Sequence, residues 1–413
     1  MQQLFGSIET LEGTARAMLC IDGDRSGDYM IHWFGSGITP GAILSSATEK
    51  NGSLVRLKPS MLFRQAQGGN LFALSYDQLT QDERKGLEQA TAELKRDGTK
   101  LVGTWTSIDG RARAMAFDGP SEKNVAAYTC TGWNDFKDWV KQVRASHDAI
   151  YFRGHGSNRF RLRTTLSRAG RVRIDRYCAS ELIEFKSHAE AVLGMRIDMS
   201  KGDDYSLLLG LAQHHGLPTP LLDWTASPYI AAFFGVADAL ESRSQRPDDT
   251  HVRVFALTRE FVRATSPPVV TLPAVNPYIA CLAVAPIHNP RLYAQQGKFL
   301  VTNVSDVETF IRSIEEQLGV THLLAADVPI SSASDAMEDL QFMGVTAANM
   351  FPGLDGVSRM IRHAMSTSGA PAPAAGKPSA VKENPERAET TASQPEAGQL
   401  FKALSRLFPP KPS

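Results

Sequence analysis

Short segments in which apolar and polar residues alternate, separated by Gly, Asp and Asn, dominate the first part of the chain. Residues 100–106 and 111–117 flank Asp109-Gly110, a dipeptide typical of a tight hairpin turn. Residues 23–27 have the composition of another turn between two strands. Residues 1–120 are therefore predicted to form a small, mostly β N-terminal domain, to which the pattern assigns no role.

One helix is predicted to interrupt these strands. Thr80 and Glu83 have the spacing of a capping box, and the stretch that follows, up to Arg96, is rich in Glu, Lys, Ala and Leu. Gly98 suits the left-handed residue that ends many helices. The pattern predicts a helix that begins after Thr80 and ends before Gly98.

Helical and strand patterns alternate from residue 121 to 365, as they do in α+β domains. An apolar stretch at 207–215 ends at Gly216 and predicts a buried helix. Ser227 followed by Pro228 predicts the start of a second helix that is apolar nearly all round. The strand candidates in this region are residues 251–257 and 298–303.

A second capping box is predicted near residue 305. Ser305 and Glu308 have the required spacing, and Gly319 would end the helix that they open. This position explains Glu308 as a structural acid, without a catalytic role.

The C-terminal part of the sequence changes character. Residues 366–398 are rich in Ala, Pro, Ser, Thr and Glu and poor in aliphatic residues, so they are predicted to be a disordered linker. Residues 399–410 predict a short amphipathic helix with Lys402 and Arg406 off its apolar face. That face would dock either in a protein partner or back on its own domain. Its apolar residues are Leu400, Phe401, Leu404, Leu407 and Phe408.

Composition narrows the function classes. The 413 residues carry 44 basic and 44 acidic side chains, a net charge of zero, which argues against general binding to nucleic acid or anionic lipid. No apolar run approaches the roughly 18 residues of a transmembrane helix, and no basic start of a secretory signal is present, so we expect a cytoplasmic protein. The four cysteines are scattered singly, which favours reduced thiols over disulfides or zinc.

The first candidate for chemistry is an arginine-rich segment. Residues 151–176 contain eight arginines and one acid, Asp175, in a chain of zero net charge. The apolar residues before Arg153-Gly154 predict a strand end where a guanidinium and backbone N–H groups face a cleft, an arrangement suited to diphosphate or carboxylate. The alternative is a solvated basic face with one structural arginine.

A second candidate begins with His214 and His215. Neighbouring residues on a helix point about 100° apart, so these histidines cannot both bind one metal, and no metal site is expected. One would face the core and the other the cleft, or both would be structural. Asp223 lies beside Trp224 in an apolar stretch, which predicts a buried carboxylate paired with an arginine, a histidine or N–H groups.

The third candidate is Gln295-Gln296-Gly297. These amides would either recognise a ligand's polar edge or satisfy the backbone of a loop. Residues 350–356 turn into a last helix and are interpreted as structural.

Together these motifs resemble the FRG domain family over residues 130–365. The resemblance rests on Phe152-Arg153-Gly154, the motifs at 213–219 and 221–225, Gln296-Gly297-x-Phe299, and Phe351-Pro352-x-Leu354-Asp355-Gly356. The family usually has an arginine where this chain has Pro220, which puts a ligand contact at that position in doubt.

The resemblance implies a bacterial protein of a phage-defence, stress or toxin system. The motif order also looks like that of ADP-ribosyltransferases, which use NAD as cofactor on a macromolecular target. Two functions follow: such an NAD-dependent transferase or glycohydrolase, or a non-catalytic module that senses a ligand or binds a partner. The resemblance implies Arg153 and Gln296 for catalysis, with Gln296 in the place of a glutamate, and Arg153, Gly154, Thr225 and Ser227 for cofactor binding. Because a glutamine supplies no charge, the neighbours of Asp223 make it the preferred catalytic carboxylate, and His214 and His215 are further candidates for cofactor binding.

Overall fold

The structure is a computed structural model. It describes residues 2–24, 27–66, 70–119, 123–265, 272–282, 284 and 290–367. The predicted amphipathic helix at 399–410 lies outside the described residues, as does the predicted disordered linker apart from Ser366 and Thr367. None of the helices in the described ranges is long and apolar enough to cross a membrane.

The N-terminal residues form a closed antiparallel β-barrel. Its strands are β1 (Gln2–Glu9), β2 (Thr14–Ile21), β3 (Asp28–Phe34), β4 (Gly41–Asn51), β5 (Leu54–Gln65), β6 (Leu71–Ala73), β7 (Thr91–Asp97), β8 (Lys100–Thr106) and β9 (Ala112–Asp118). The sheet order is β4-β3-β2-β1-β9-β8-β7-β5, and β4 pairs with β5 to close it, while β6 extends the edge of β5. This confirms a mostly β domain at the N-terminus.

Apolar side chains from all eight closing strands meet inside the barrel. Leu19, Leu94 and Phe117 are completely buried there, with Leu4 and Leu57 almost so. A barrel of about eight strands is just wide enough for its own side chains to fill. The predicted turn at Asp109-Gly110 is present, and Gly110 adopts a φ of +68° between β8 and β9. The other predicted turn, at 23–27, falls between β2 and β3, and its residues 25 and 26 lie outside the described residues.

The predicted helix after Thr80 is wrong in its second half. The capping box of Thr80 and Glu83 is present, but helix α1 spans only Gln81–Gln89. Residues 91–97 form strand β7, in which Ala92 and Leu94 are buried in the barrel. The pairing of β7 with β5 and β8 outweighs the helical propensity of its Glu and Lys residues. Gly98, with a φ of +59°, lies in the turn between β7 and β8.

The remainder is a mixed sheet covered by helices, which confirms the α+β class. Its strands are β10 (Ala127–Thr129), β11 (Ala149–His155), β12 (Leu221–Thr225), β13 (His251–Thr258), β14 (Ile279–Leu282), β15 (Gly297–Thr302) and β16 (Leu323–Pro329). The order is β10-β16-β13-β11-β12-β15-β14, antiparallel except for the β10–β16 pair.

Helices connect the strands of this sheet and follow the last one. They are α2 (Trp133–His147), α3 (Thr165–Arg168), α4 (Ile174–Ala179), α5 (Glu181–Leu193), α6 (Gly202–His214), α7 (Pro228–Glu241), α8 (Arg259–Ala264), α9 (Pro290–Ala294), α10 (Val307–Leu318), α11 (Ala333–Phe342), α12 (Ala347–Met350) and α13 (Leu354–Thr367). The predicted start at Ser227 is confirmed, because its hydroxyl accepts a hydrogen bond from the Ile230 N–H at 3.3 Å.

Each face of the sheet has its own core. On one face, α2, α7 and α11 pack around Phe152, Phe136 and Phe233. On the other, α8 and α10 pack around Trp224 and Phe255. The four cysteines are not joined in disulfides.

The predicted capping box at Ser305 is wrong. The N-cap of α10 is Asp306, whose carboxylate accepts the Thr309 N–H at 3.1 Å. Glu308 is buried and accepts the Val125 N–H at 2.8 Å. Burial raises the pKa of Glu308, and the hydrogen bond from Val125 opposes that shift. Glu308 therefore has a structural role of another kind, and Gly319 ends the helix as predicted.

Candidate functional site

Most of the arginine-rich segment is neutralised by carboxylates from elsewhere in the chain. The pairs, with their nitrogen–oxygen distances, are Arg159–Asp249 at 3.6 Å, Arg161–Asp306 at 2.9 Å, Arg171–Asp24 at 2.6 Å and Arg173–Asp175 at 2.6 Å, together with Arg176–Asp24. The excess positive charge seen in the sequence is therefore not an open basic face. These arginines mainly form ion pairs that join different parts of the fold.

Asp22 is the centre of the largest of these clusters. Its buried carboxylate accepts the N–H groups of Val172 at 2.7 Å and Arg173 at 3.0 Å. Arg171 and Arg176 also approach it, at 3.4 and 3.5 Å. Through Asp22, the turn after β2 ties the barrel to the segment before α4.

The Phe-Arg-Gly triplet lies on β11, and each of its residues has a separate task. Phe152 is buried in the core beneath α7. A Cβ on Gly154 would lie 1.8 Å from the Ala231 carbonyl oxygen and 2.9 Å from the Gly235 nitrogen. Only glycine therefore lets α7 pack directly against this strand. Arg153, between them, faces a cavity.

Arg153 is held on two sides. Its Nε donates to His155 Nε2 at 3.1 Å, and its Nη1 donates to the Asp223 main-chain oxygen. Because His155 accepts at Nε2, its proton resides on Nδ1, which donates to the Phe160 carbonyl at 3.3 Å. Burial, and secondarily the Arg153 charge, lower the pKa of His155 to about 3, so His155 is neutral at pH 7. Burial also lowers the pKa of Arg153, and the Asp223 carboxylate opposes this shift.

The cavity that Arg153 faces has a volume of about 340 Å³. It lies where β11, β12 and β15 meet α6, α7 and α9, with Phe351 at one side. Three of its lining residues are cationic and one is anionic. These are Arg153, Arg291 and Lys298 against Asp223.

Asp223 is not the buried carboxylate that the sequence predicts. Its side chain is 58% exposed, because β12 turns Leu222 and Trp224 into the core and Asp223 toward the cavity. It does have the predicted arginine partner, since its Oδ2 lies 3.9 Å from Arg153 Nη1. The Gln213 amide donates to the same oxygen at 2.9 Å. Thr219 donates its hydroxyl to Gln213 Oε1, which fixes the orientation of that amide.

The two histidines have different environments, and neither is in the core. His214 is half-buried and lines the cavity, whereas His215 is exposed and is not among the lining residues. Their rings lie edge to face, 4.9 Å apart. Burial lowers the pKa of His214, and the neighbouring His215 and Arg291 lower it further. His214 can therefore offer a neutral imidazole at pH 7.

Thr225 and Ser227, predicted to bind a cofactor, form hydrogen bonds within the structure itself. Thr225 donates its hydroxyl to the Gln295 carbonyl at 2.8 Å and accepts the Ser227 N–H at 3.1 Å. Thr225 lines the cavity, whereas Ser227 is occupied as the N-cap of α7 and is not among the lining residues.

Gln295, and not Gln296, lines the cavity. The Gln295 amide donates to the Met350 carbonyl at 3.0 Å, which is the loop-satisfying role left open by the sequence. Gln296 is exposed with a φ of +47°, and its carbonyl accepts the Ala226 N–H at 3.1 Å. Gln296 is therefore apart from the group formed by Arg153 and Asp223.

Sequence reasoning missed an aromatic wall and two cations. Phe234 and Phe351 line the cavity with their rings edge to face, 5.9 Å apart. The Arg291 guanidinium lies 5.6 Å from the centre of the Phe351 ring. Lys298 faces the cavity from β15, beside Gly297. Arg291 lies just before and Lys298 just after Gln295-Gln296 in the sequence. These two basic residues beside the amides were the available indication of an anion-binding cavity.

No group of three or more His, Cys, Asp or Glu side chains that could hold a metal ion occurs in the part of the chain that the structure describes.

Pro220, which stands where the family usually has an arginine, is buried. Its carbonyl accepts the Thr302 N–H at 3.1 Å.

Comparison with known proteins identifies one family. No curated protein matches the chain. Among solved structures, "Structure of a redesigned beta barrel, mFAP1, bound to DFHBI" aligns with 14% identity over 28% of this chain and 92% of that one, but its TM-score of 0.19 is too low to support a conclusion. Residues 148–244 match the FRG domain, which includes the Arg153 triplet and the motif around Asp223. The chain therefore contains an FRG domain, matched from the start of β11 to just beyond α7.

Proposed function

We propose that the cavity beside Arg153 binds a small phosphate-bearing, nucleotide-type ligand. The observation that carries this proposal is the way Arg153 is held: neutral His155 and the Asp223 carbonyl take Nε and Nη1, while no acceptor for Nη2 is found among the described residues. A guanidinium fixed in this way has lost its conformational freedom before a ligand arrives. Its remaining N–H groups suit phosphate oxygens.

The charge of the cavity supports an anionic ligand. Arg153, Arg291 and Lys298 outnumber the single carboxylate, so the lining has a charge of +2 with His214 neutral. Lys298 is exposed and has no acid partner among the described residues. A ligand phosphate would supply the missing negative charge in a recess where Coulomb interactions are less screened than in open water.

The shape of the cavity supports the nucleotide part of the proposal. Phe234 and Phe351 offer half-buried rings for a planar base, and the exposed Asp223 carboxylate can accept hydrogen bonds from ribose hydroxyls. The volume of about 340 Å³ is at the small end of the roughly 300–1,000 Å³ typical of ligand pockets. A mononucleotide fits this size better than an entire dinucleotide, part of which would project into solvent.

A thermal-shift panel tests this proposal. AMP, ADP and NAD are compared with adenosine, which has the base and ribose but no phosphate. At a ligand concentration of 100 times Kd, binding stabilises the folded state by about 2.7 kcal/mol. We expect stabilisation by a phosphate-bearing probe, little by adenosine, and a smaller effect in Lys298→Ala.

The control is Lys95→Ala, which removes an exposed lysine from the barrel, far from the cavity in sequence and on another sheet. If no phosphate-bearing probe stabilises the protein, or if Lys298→Ala responds as strongly as Lys95→Ala, the proposal is wrong.

A second candidate function is NAD cleavage, as an ADP-ribosyltransferase or glycohydrolase acting on a macromolecular target. The observation that favours it is the position of Asp223 in the cavity beside Arg153. A carboxylate there would stabilise the oxocarbenium-like state formed when the nicotinamide bond breaks. Gln296 would contribute no charge, and it is not among the lining residues.

The two candidates differ in their products. Protein incubated with labelled NAD and cell extract would release nicotinamide or label a macromolecule if it is an enzyme, and Asp223→Asn would abolish this activity while keeping the side-chain shape. Binding without turnover supports the ligand-sensing function. The biological setting implied by the resemblance, phage defence or a stress or toxin system, is tested by comparing plaque counts on cells expressing wild type and Asp223→Asn.

A further inference from the structure

A second recess lies between α11 and α13. We call it the α11–α13 groove; its volume is about 620 Å³. Most of its lining is apolar, and Glu338 is its only acidic residue. Its lining includes Met337, Glu338, Met360, Ile361 and Met365.

One face of α13 is apolar but lacks a covering element among the described residues. Gly356, Met360 and His363 face the domain. The adjacent stripe repeats every three or four residues and is exposed, with Leu354 at 84% and Met365 at 72%. Its members are Leu354, Val357, Ile361 and Met365. At the end of α11, Phe342 is also 83% exposed. An apolar patch of this extent is typical of a docking surface.

We propose that the α11–α13 groove is the docking site of this chain's own segment 399–410. The sequence of the segment places five large apolar residues on one helical face, which complements the exposed stripe of α13. They are Leu400, Phe401, Leu404, Leu407 and Phe408. As a helix its 12 residues would be about 18 Å long, close to the roughly 21 Å of the 14-residue α13. The segment thus has the length and the apolar face that the groove requires.

Because segment 399–410 is covalently joined to α13, it is the most accessible occupant of the groove. Helix α13 leads directly into residues 368–398, 31 residues that connect it to the segment. A flexible chain of that length has a root-mean-square span of about 30 Å, enough to turn back along α13. Tethering over such a distance gives an effective concentration on the order of millimolar, far above that of a free partner.

Charge favours the same occupant. Helix α11, one wall of the groove, presents Glu338 to it, whereas Asp339 of the same helix pairs with Lys137. Segment 399–410 carries Lys402 and Arg406 and no acidic residue. A basic side chain of the docked helix would therefore lie near Glu338, which helps to orient the helix in the groove.

Cysteine pairs in the full chain test the proposal. Ile361→Cys combined with Leu404→Cys places one thiol in the groove and one on the apolar face of the segment. The matched control combines Ile361→Cys with Ser393→Cys, in the linker. Under mild oxidation we expect several-fold more intramolecular disulfide in the first pair, identified by peptide mapping so that the native thiols are distinguished.

Two outcomes would overturn the proposal. Equal yields in the two pairs would mean that the segment does not reside in the groove, and an intermolecular 361–404 disulfide would mean that a second copy of the chain is the occupant. An independent measurement uses Ile361→Glu, which places a charge in the groove. Amide hydrogen exchange of residues 400–408 should become several-fold faster, while exchange in the sheet strands stays unchanged; unaltered exchange at 400–408 would contradict docking.

Discussion

Acid should destabilise the FRG-containing part through His155. This side chain is buried beneath Phe255, whose ring lies 5.2 Å away edge to face, and it accepts a hydrogen bond from Arg153. Its pKa is about 3 in the folded protein and about 6.5 in an unfolded chain. Above pH 6.5 both states are neutral at this position. Below pH 6.5 the unfolded state takes up a proton that the folded state refuses, so stability falls as the pH decreases from 6.5 toward 3.

The magnitude follows from the two pKa values. Between pH 7.5 and pH 5, the difference in proton binding at His155 costs about 2 kcal/mol of unfolding free energy. His32 and His322, each with a pKa lowered to about 4 mainly by burial, contribute in the same direction. A variant is therefore needed to isolate the share of His155.

His155→Gln is the appropriate variant. Glutamine can accept from Arg153 and donate to Phe160, as the neutral imidazole does, but it does not titrate. Urea unfolding at pH 7.5 and pH 5 gives the loss of stability for each protein. We expect the wild type to lose about 2 kcal/mol more than His155→Gln over this interval. Equal losses in the two proteins would show that His155 is not kept neutral in the folded state.

Two further substitutions test how the parts of the fold are joined. Asp22→Ala leaves two buried N–H groups without their acceptor while Arg171 and Arg176 keep Asp24, so urea unfolding should show a loss of about 2–5 kcal/mol. The more exposed Asp24→Ala should cost less than about 1 kcal/mol, because Asp22 remains near both arginines. Similar losses would mean that Asp22 does not anchor the barrel. Gly154→Ala should cost upward of about 3 kcal/mol, because its Cβ would meet the backbone of α7, whereas Gly202→Ala at the open start of α6 should be close to neutral. A mild effect at Gly154 would contradict the close packing of α7 on β11.

Local signals in the sequence were sufficient for much of the fold. The hairpin at Asp109-Gly110 and the helix that starts at Ser227-Pro228 follow from turn and capping chemistry that involves only neighbouring residues. The sequence pattern predicts a helix where strand β7 lies, because the Glu and Lys residues of this segment favour a helix locally. Its partners in the barrel, β5 and β8, decide its conformation, and a pattern confined to the strand does not reveal them.

The candidate site was predictable only in part, for the same reason. Arg153 and Asp223 stand in recognisable motifs, and the structure brings them within 3.9 Å of each other. Arg291, Lys298 and Phe351 complete the cavity from elements far away along the chain, so only the fold shows that they belong together. Conversely, the arginines after Arg153 looked like an anion-binding cluster because their acidic partners, among them Asp22, are distant in sequence.

The measurement that tests the central claim most directly is calorimetric titration of AMP or ADP, whichever stabilises the protein, into wild type and Arg153→Gln. The matched control is Arg159→Gln, an exposed arginine of the same segment that pairs with Asp249 outside the cavity. Urea unfolding confirms that both variants fold, and Lys298→Ala serves as a second cavity variant. We predict at least a tenfold loss of affinity in Arg153→Gln, a smaller loss in Lys298→Ala, and wild-type affinity in Arg159→Gln. Equal affinities in Arg153→Gln and Arg159→Gln would contradict a ligand site built on Arg153.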